Sequence, residues 1–135
     1  MLVTESNDLS TKGNKKEVRI FLDGVFDMMH YGHMNAFRQA RSLGTYLIAG
    51  VCDEKDTTIS KGSPVCNEQE RIDTVRGCKW VDEVIPNVPY NIPDGFYASL
   101  IEKYKIDYIV HGDDPCIING KNLYESAIQL GGILL

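Results

Sequence analysis

Short apolar runs alternate with segments of helical spacing along this chain, and this alternation restricts its fold more than any other feature. Residues 18–23 and 45–52 are apolar enough to form strands that are covered on both faces. Shorter strands are predicted at residues 81–86 and 107–112. Because helices are predicted between successive strands, the order favours a parallel sheet with helices on both faces. We therefore expect an α/β fold, with a doubly wound parallel sheet in a single domain.

The predicted helices have start and stop signals of their own. Residues 33–44 place their apolar side chains on one side and end at a glycine. Asn67 can cap the next helix, and Glu70 completes a pattern like a capping box. Two more helices are predicted to start near Asp94 and Asn122. The final "GGILL" has the composition of the start of another strand.

Length and composition limit the class of protein. The 135 residues fit one domain, and the apolar fraction of 43% with a charged fraction of 24% is typical of a soluble globular protein. The net charge of −5 gives no reason to expect nucleic acid as a partner. No stretch approaches the ~20 apolar residues that span a bilayer, so we expect no stable membrane insertion.

Two polar segments and the cysteines complete the outline. Residues 1–17 lack the apolar core of a secretory signal, and we expect them to be disordered. Residues 53–66 are predicted to be a mobile loop or a short irregular helix. The four cysteines are widely spaced and form no C-x-x-C pair. Buried or free thiols are therefore expected, in a reducing and cytoplasmic compartment.

Two of the three histidines, His30 and His33, flank Gly32 in the segment that follows the first predicted strand. At this spacing on a helix, two side chains share a face, and a glycine between them lets a ligand or backbone come close. A helix start also offers free N–H groups and a positive dipole end, which suit a phosphate. Because ligands bind beyond the carboxyl ends of parallel strands, the pair indicates a binding site.

Two other interpretations of the histidine pair stay open at this point. Both side chains are compatible with ordinary polar residues at the start of a helix. A metal pair is the other alternative, but no third ligand stands at a recognisable spacing, so no metal site is predicted.

The segment His30-Tyr31-Gly32-His33 matches the H-x-G-H signature of the nucleotidylyltransferases. Three segments in order, "DGVFDMMHYGHMNAFRQAR", "KGSPVCNEQERIDTVRGCKWVDEVIP" and "KYKIDYIVHGDD", resemble the cytidylyltransferases that make CDP-alcohols for phospholipid synthesis. The resemblance covers about residues 18–131. It implies a Rossmann-like fold of the nucleotidylyltransferase type, with residues 1–17 as a disordered N-terminal segment and residues 18–135 as the catalytic domain.

Within that family, "HGDDPC" followed by "NGKNLY" is similar to the enzymes that use ethanolamine phosphate. The resemblance implies cytidylyl transfer from CTP to ethanolamine phosphate, which gives CDP-ethanolamine and pyrophosphate for phosphatidylethanolamine synthesis. Mg²⁺ is expected to accompany CTP, with no dedicated protein site. The alternatives are phosphocholine or glycerol phosphate as the acceptor, and a non-catalytic module for nucleotide binding or dimerisation.

The resemblance also implies roles for particular residues. His30, His33 and Lys61 are the expected catalytic groups, the histidines as N–H donors and the lysine as a cation that bridges the two reacting phosphates. A solvated loop lysine is the alternative for Lys61. The nucleotide is expected to contact Gly24, Val25, Phe26, Gly32, His33, Arg71, His111, Gly112 and Asp113. Arg71 has the alternative role of supporting the loop.

The acceptor is expected to contact Asp23, Lys61, Tyr90 and His111. A carboxylate at Asp23 can hold the cationic end of the alcohol. A Tyr hydroxyl at position 90 can accept from a primary ammonium, whereas choline would favour an aromatic cage. The alternative for Tyr90 is a turn residue that packs on the core. Asp27 is expected to orient backbone or support the loop.

One part of the family pattern is missing. The family carries a second signature, Arg-Thr-x-Gly-x-Ser-Thr-Thr, whose donors hold the CTP phosphates, and the sequence ends at Leu135 before it. We therefore expect a longer parent enzyme and impaired activity in a chain of this length. The resemblance further implies a homodimer, or pairing with a second cytidylyltransferase-like domain.

Overall fold

A computed structural model of the chain describes residues 17–110 with their side chains, and the backbone of residues 2–5, 111, 117–118, 121–122 and 132–134. The described strands are β1 (Leu2–Glu5), β2 (Arg19–Gly24), β3 (Tyr46–Cys52), β4 (Glu83–Val88), β5 (Tyr108–His111), β6 (Ile117–Ile118), β7 (Lys121–Asn122) and β8 (Gly132–Leu134). The described helices are α1 (Tyr31–Arg41), α2 (Glu54–Ser60), α3 (Glu68–Arg76) and α4 (Phe96–Tyr104).

Four neighbouring strands of the sheet are parallel, in the order β4-β3-β2-β5. Ile20 of β2 lies beside Leu47 of β3 on one side and beside Tyr108 of β5 on the other. Each crossover between strands in this part of the chain carries at least one helix. The predicted α/β fold with a parallel sheet is therefore confirmed.

Helices cover both faces of this sheet. On one face, α1 and α3 contribute Phe37 and Val75 to a core that includes Ile20 and Leu47. On the other face, α4 packs Tyr97 and Leu100 against Phe21 and Ile48 of the central strands. Neighbouring residues of one strand thus point into different cores, which explains the continuous apolar runs of the sequence. The sheet is doubly wound, as predicted.

The far edge of the sheet differs from the sequence prediction. β1 pairs antiparallel with β5, and β8 pairs antiparallel with β1. The prediction that residues 1–17 are disordered is thus wrong for Leu2–Glu5, where the chain finds an open strand edge and adds to it. The β8 strand agrees with the strand expected at "GGILL".

The helices begin where local caps place them. The helix expected from residue 33 starts two residues earlier, because the His30 side chain caps it. The capping box of Asn67 and Glu70 is confirmed at the start of α3. Residues 54–60 form a short helix with Asp53 as its N-cap. The helix expected near Asp94 begins after Gly95, whose φ of 82° is left-handed and suits a glycine.

Two predicted boundaries are wrong. Pro86 was expected to end a strand, but β4 continues through it to Val88. β4 lies at the edge of the sheet, where the missing N–H of a proline removes no required bond. Asn122 was expected to open the last helix, but it belongs to β7, which pairs with β6. Residues 123–131 of that predicted helix lie outside the described residues.

Three of the cysteines, Cys52, Cys66 and Cys78, are free thiols, as predicted, and Cys116 lies outside the described residues. Among the helices described above, none combines the length with the apolar character that a bilayer crossing requires.

Candidate active site

A cavity of about 330 Å³ opens at the carboxyl ends of β2 and β3. β2 contributes its last residues, and the loop that follows it contributes the adjoining wall. The segment after β4 contributes another wall. The cavity is lined by Asp23, Gly24, Val25, Phe26, Asp27, His33, Cys52, Lys61, Pro89, Tyr90 and Ile92. Seven of the residues expected to bind nucleotide or acceptor therefore line one cavity: Asp23, Gly24, Val25, Phe26, His33, Lys61 and Tyr90.

The two histidines of the H-x-G-H segment form the cap of α1. The His30 Nδ1 accepts from the Gly32 N–H at 3.0 Å, and the His33 Nδ1 accepts from the His30 N–H at 3.1 Å. The two rings are 4.2 Å apart between centroids. His33 lines the cavity, while His30 is exposed beside it. The predicted pair is thus brought together at a helix start.

This cap determines where the imidazole protons lie. A ring nitrogen that accepts a backbone N–H bond has no proton, so the neutral form of each ring carries its proton on Nε2. Each Nε2–H is then a donor that α1 does not use. Burial lowers the pKa of His33, and the nearby positive charges of His30 and Lys61 lower it further. The neutral, donating form of His33 is therefore favoured at neutral pH.

Gly32 fits closely against the first histidine. A Cβ at this position would come within 2.7 Å of the His30 Cε1 atom, so the cap requires a residue without a side chain. Gly24 has a similar constraint, because a Cβ there would lie 2.9 Å from the Phe26 ring. Both glycines were expected at the nucleotide, and both make room for a neighbouring ring.

The loop between β2 and α1 has an unusual backbone. Phe26 and Met28 have positive φ values of 55° and 45°, in the left-handed region that costs a non-glycine residue of order 1 kcal/mol or more. The Phe26 ring packs on Phe37 at 5.0 Å and meets the edge of His33 at 6.1 Å. Core packing thus holds this loop in a strained form along the cavity.

Asp27 ties this loop to the segment before α3. Its two carboxylate oxygens accept the backbone N–H groups of Val65 at 2.7 Å and Cys66 at 2.9 Å. These bonds lower the pKa of the Asp27 carboxyl, and the Arg71 charge adds a smaller effect. The expected supporting role of Asp27 is confirmed.

Arg71 lies under the site and does not line the cavity. It is 1% exposed. Its Nη1 donates to the carbonyls of Val25 and Cys52, each at 2.9 Å, and its Nε donates to the Cys66 carbonyl at 3.3 Å. The arginine thus joins the loop after β2, the end of β3 and the start of α3. This arrangement corresponds to the loop-supporting role, and the guanidinium contacts backbone where a nucleotide contact was expected.

Lys61 and Asp23 both line the cavity but come from different elements. Lys61 is exposed and directly follows α2 as its C-cap residue. Asp23 is half-buried at the end of β2, and the Tyr97 hydroxyl donates to its Oδ2 at 3.2 Å. Burial raises the pKa of the Asp23 carboxyl to about 6, although the Tyr97 bond opposes this shift. Tyr90 lines the wall after β4.

Cys52 is the one thiol among the cavity residues. It is buried, and both burial and the neighbouring Asp23 carboxylate raise the pKa of its thiol. A thiol in this state is a poor nucleophile at neutral pH. The cavity therefore has no support for covalent catalysis through Cys52.

Three expected site residues lie at the margin of the described structure. The His111 backbone ends β5, beside β2, as the position of a site residue requires. The His111 side chain and the whole of Gly112 and Asp113 lie outside the described residues.

The residues around the cavity do not form a metal site. Within residues 17–110, no group of three or more His, Cys, Asp or Glu side chains is arranged to hold a metal ion. Asp27 already accepts two backbone N–H groups, and Asp23 accepts the Tyr97 hydroxyl. The described residues therefore do not fit a dedicated Mg²⁺ ion, which prefers several free oxygen ligands.

Comparison with known proteins identifies the family. The Cytidylyltransferase-like family model matches residues 21–127, most of the chain. This chain belongs to the cytidylyltransferase-like family. Its fold is also that of a solved lipopolysaccharide core biosynthesis protein from Thermoplasma volcanium GSS1, with a TM-score of 0.65 at 24% identity over 85% of this chain and 89% of that one.

Relatives in the family carry two kinds of name. The ethanolamine-phosphate cytidylyltransferases of Arabidopsis thaliana and Dictyostelium discoideum are 49% and 45% identical to this chain, over 87% and 91% of its length. Choline-phosphate cytidylyltransferase 2 of Arabidopsis thaliana is 37% identical over 97%. The chain spans only 28%, 33% and 44% of these three relatives, respectively.

Sequence reasoning missed several residues of this site. Pro89 and Ile92 line the cavity, and Tyr97 reaches Asp23 from α4. Tyr97 occupies an apolar position of a helix that packs on the sheet, so its pattern indicated a core residue. A buried tyrosine normally pairs its hydroxyl, and that rule is the signal that points to a polar partner nearby.

Proposed function

We propose that the protein carrying this sequence transfers a cytidylyl group from CTP to ethanolamine phosphate. An oxygen of the acceptor phosphate forms a bond to the α-phosphorus of CTP, and the bond from that phosphorus to the pyrophosphate oxygen breaks. The products are CDP-ethanolamine and pyrophosphate. The protein then contributes positioning and charge stabilisation, with no covalent intermediate.

One observation carries this proposal: His33 and Lys61 line one cavity, with the paired ring of His30 beside it, in a chain of the cytidylyltransferase-like family. Both rings have an Nε2–H donor that α1 does not use. The Nε2–H groups of His30 and His33 are assigned to the non-bridging oxygens of the reacting phosphate and to the leaving group. Lys61 is assigned to the space between the two anions, where a compact charge on a flexible stem offsets their repulsion.

The choice of ethanolamine over choline follows from the acceptor side of the cavity. A primary ammonium has three N–H donors, and Asp23 and Tyr90 offer oxygen atoms there. A quaternary ammonium has no N–H donor and favours aromatic faces. The identity of 49% to the ethanolamine-phosphate enzyme of Arabidopsis thaliana, against 37% to a choline-phosphate enzyme of the same plant, supports the same choice.

The proposal includes the expected setting of the enzyme. Mg²⁺ accompanies CTP as the counterion of its phosphates. The protein acts in the cytoplasm as a homodimer or together with a second cytidylyltransferase-like domain. Light scattering of the purified protein measures the assembly.

An acceptor assay tests the function. The full-length protein is incubated with CTP, Mg²⁺ and either ethanolamine phosphate, phosphocholine or glycerol phosphate, and pyrophosphate and the CDP-alcohol are measured. We expect ethanolamine phosphate to give the highest kcat/KM. A higher kcat/KM with another acceptor would reject the substrate assignment, and thermal stabilisation by CTP without any pyrophosphate would indicate a non-catalytic module.

A matched pair of variants tests the assigned chemistry. Lys61→Ala should lower kcat/KM by about 100-fold or more, because a charge at the transition state is lost. Lys55→Ala removes an exposed lysine from α2 that does not line the cavity, and it should leave the rate within about twofold. Equal effects of the two substitutions would remove Lys61 from the mechanism.

A further inference from the structure

Asn91 joins two walls of the cavity. Its backbone N–H donates to the Asp56 Oδ2 at 2.7 Å. Its side-chain Nδ2 donates to the Ser60 Oγ at 2.5 Å and, at 3.4 Å, to the Asp56 Oδ1. Asp56 and Ser60 lie four residues apart on one face of α2, so a single asparagine holds that face at two points.

The position of Asn91 connects these bonds to the site. Its chain neighbours Tyr90 and Ile92 both line the cavity, and the residue after Ser60 is Lys61. The Asn91 bonds therefore connect the segment after β4, which is assigned to the alcohol headgroup, with α2, the helix that Lys61 directly follows. Neither Asp56 nor Asn91 lines the cavity.

α2 depends on such bonds for its location. With seven residues, it is shorter than the ~12–15 residues at which a helix becomes even marginally stable alone. Thr57 is its one buried residue, so little apolar packing fixes it on the sheet. At its start, the Asp53 N–H donates to the Val88 carbonyl at 2.7 Å. At its end, next to Lys61, the Ser60 hydroxyl is held by Asn91.

We propose that Asn91 is a positioning residue that holds Lys61 at the reacting phosphates by fastening α2, through Asp56 and Ser60, to the headgroup wall. The proposal rests on the transfer reaction proposed above. It assigns Asn91 no contact with substrate. Its effect passes through the Lys61 ammonium alone.

The sizes of the expected effects follow from the bonds that each substitution removes. Asn91→Ala removes the two Nδ2 bonds but keeps the backbone bond to Asp56, so α2 is loosened at its Lys61 end. A displacement of about 1 Å at a reacting group can cost about 100-fold in rate, and a partial loosening should lower kcat by about 10-fold. KM for ethanolamine phosphate should change less than kcat, because Asp23 and Tyr90 still contact the headgroup and only the Lys61 contact is displaced.

A double-mutant cycle with Lys61 separates this role from a general structural one. Rates are measured with radiolabelled CTP in the full-length protein, so that the residual activity of Lys61→Ala is quantified. We expect Asn91→Ala to lower kcat in the wild-type background and to have no further effect when Lys61→Ala is present. An undiminished effect in the Lys61→Ala background, or an unchanged kcat in Asn91→Ala alone, would overturn the proposal.

An exchange of side chains provides a rescue. Asn91→Asp places a second carboxylate against Asp56, and kcat should fall further than in Asn91→Ala. Asp56→Asn combined with Asn91→Asp restores a donor and acceptor pair between the two positions. The Ser60 hydroxyl, which accepts from Asn91 in the wild type, can then donate to the new carboxylate. We therefore expect kcat to recover at least fivefold over Asn91→Asp. No recovery would count against the proposal.

Hydrogen exchange tests the fastening without substrate. Deuterium uptake of residues 54–61 should rise in Asn91→Ala and stay unchanged in Gln69→Ala, a control that removes an exposed amide-to-carboxylate bond of 3.0 Å from α3. Equal uptake in Asn91→Ala and the wild type would refute the fastening. If the wild type makes no CDP-ethanolamine, the function proposed above fails, and this uptake still decides whether Asn91 holds α2.

Discussion

Replacing the buried guanidinium of Arg71 gives the sharpest test of how this site is held. Arg71→Met keeps an unbranched side chain, two heavy atoms shorter and without charge, and removes three bonds to backbone carbonyls. Each of the two bonds of 2.9 Å is worth about 1.5–3 kcal/mol because the donor is charged, and the bond of 3.3 Å contributes less. The gross loss is therefore about 3–6 kcal/mol.

Part of this loss is offset. The Arg71 Nη2 is buried without a partner among the described residues, and such a group costs about 1–3 kcal/mol in the native protein. Methionine removes that cost, so we expect Arg71→Met to lower the free energy of unfolding by about 2–3 kcal/mol net. CTP binding should weaken too, because Val25 and Cys52, whose carbonyls Arg71 holds, both line the cavity.

Urea unfolding, followed by circular dichroism, measures the difference in the free energy of unfolding between Arg71→Met and the wild type, provided that the two have equal m-values. Arg76→Met is the control on the same helix, since that side chain is 60% exposed and its ion pair with Asp73 is 3.7 Å long. The control should change stability by less than about 0.5 kcal/mol. If Arg71→Met is as stable as the control but loses thermal stabilisation by CTP, the arginine binds nucleotide directly and the supporting role is wrong.

Three further predictions concern other parts of the site and sheet. Burial and the nearby charges of His30 and Lys61 lower the pKa of His33 in the folded protein. The free energy of unfolding of the wild type, relative to the non-titrating His33→Gln, should therefore fall as pH drops from 8 to 5 in urea titrations. A difference that does not change with pH would contradict this environment of His33. Burial raises the pKa of the Asp23 carboxyl to about 6, so KM for ethanolamine phosphate, measured by steady-state kinetics, should fall as pH rises through 6. Tyr97→Phe removes a hydrogen bond that lowers this pKa, so the fall in KM should move to higher pH. Gly50→Ala puts a Cβ 2.6 Å from a core ring and should cost about 1–3 kcal/mol in urea unfolding, whereas Gly77→Ala meets nothing closer than 3.5 Å and should be near neutral.

The parallel strands and the histidine pair could be predicted because both depend on residues that are close together in the sequence. The first two predicted strands are largely apolar runs, and the H-x-G-H segment lies between them, a few residues after the first. Position in a parallel sheet then places His30, Lys61 and Asp23 at one edge, since loops after the strands meet there. Periodicity and topology were sufficient for this much.

The bonds that hold the site have no local signature. Asp27 pairs with an N–H group 38 residues away, and Arg71 with a carbonyl 46 residues away. A sequence shows which side chains are charged, but it does not show which distant backbone groups lack a partner. For this reason Arg71 was expected at the nucleotide, and Asn91 was not singled out at all.

Edge strands were the weakest part of the prediction for a related reason. A proline such as Pro86 normally ends a strand because it has no N–H group to donate, yet on the open side of an edge strand that N–H group is not required. The four residues of β1 have too little sequence for a pattern, and their pairing depends on β5, more than 100 residues later. What a short or interrupted segment becomes is decided by its neighbour in the sheet.

The crossed cap of His30 and His33 has a consequence for laboratory evolution. Each ring closes the first turn of α1 with one nitrogen and carries a second nitrogen that the helix does not use, so a substitution at either position affects both the cap and an Nε2–H donor. A library screened only for expression would therefore also lose side chains that cannot accept a hydrogen bond at these positions. Only side chains that copy the acceptor alone, such as His30→Asn and His33→Gln, would separate a screen for expression from a screen for product.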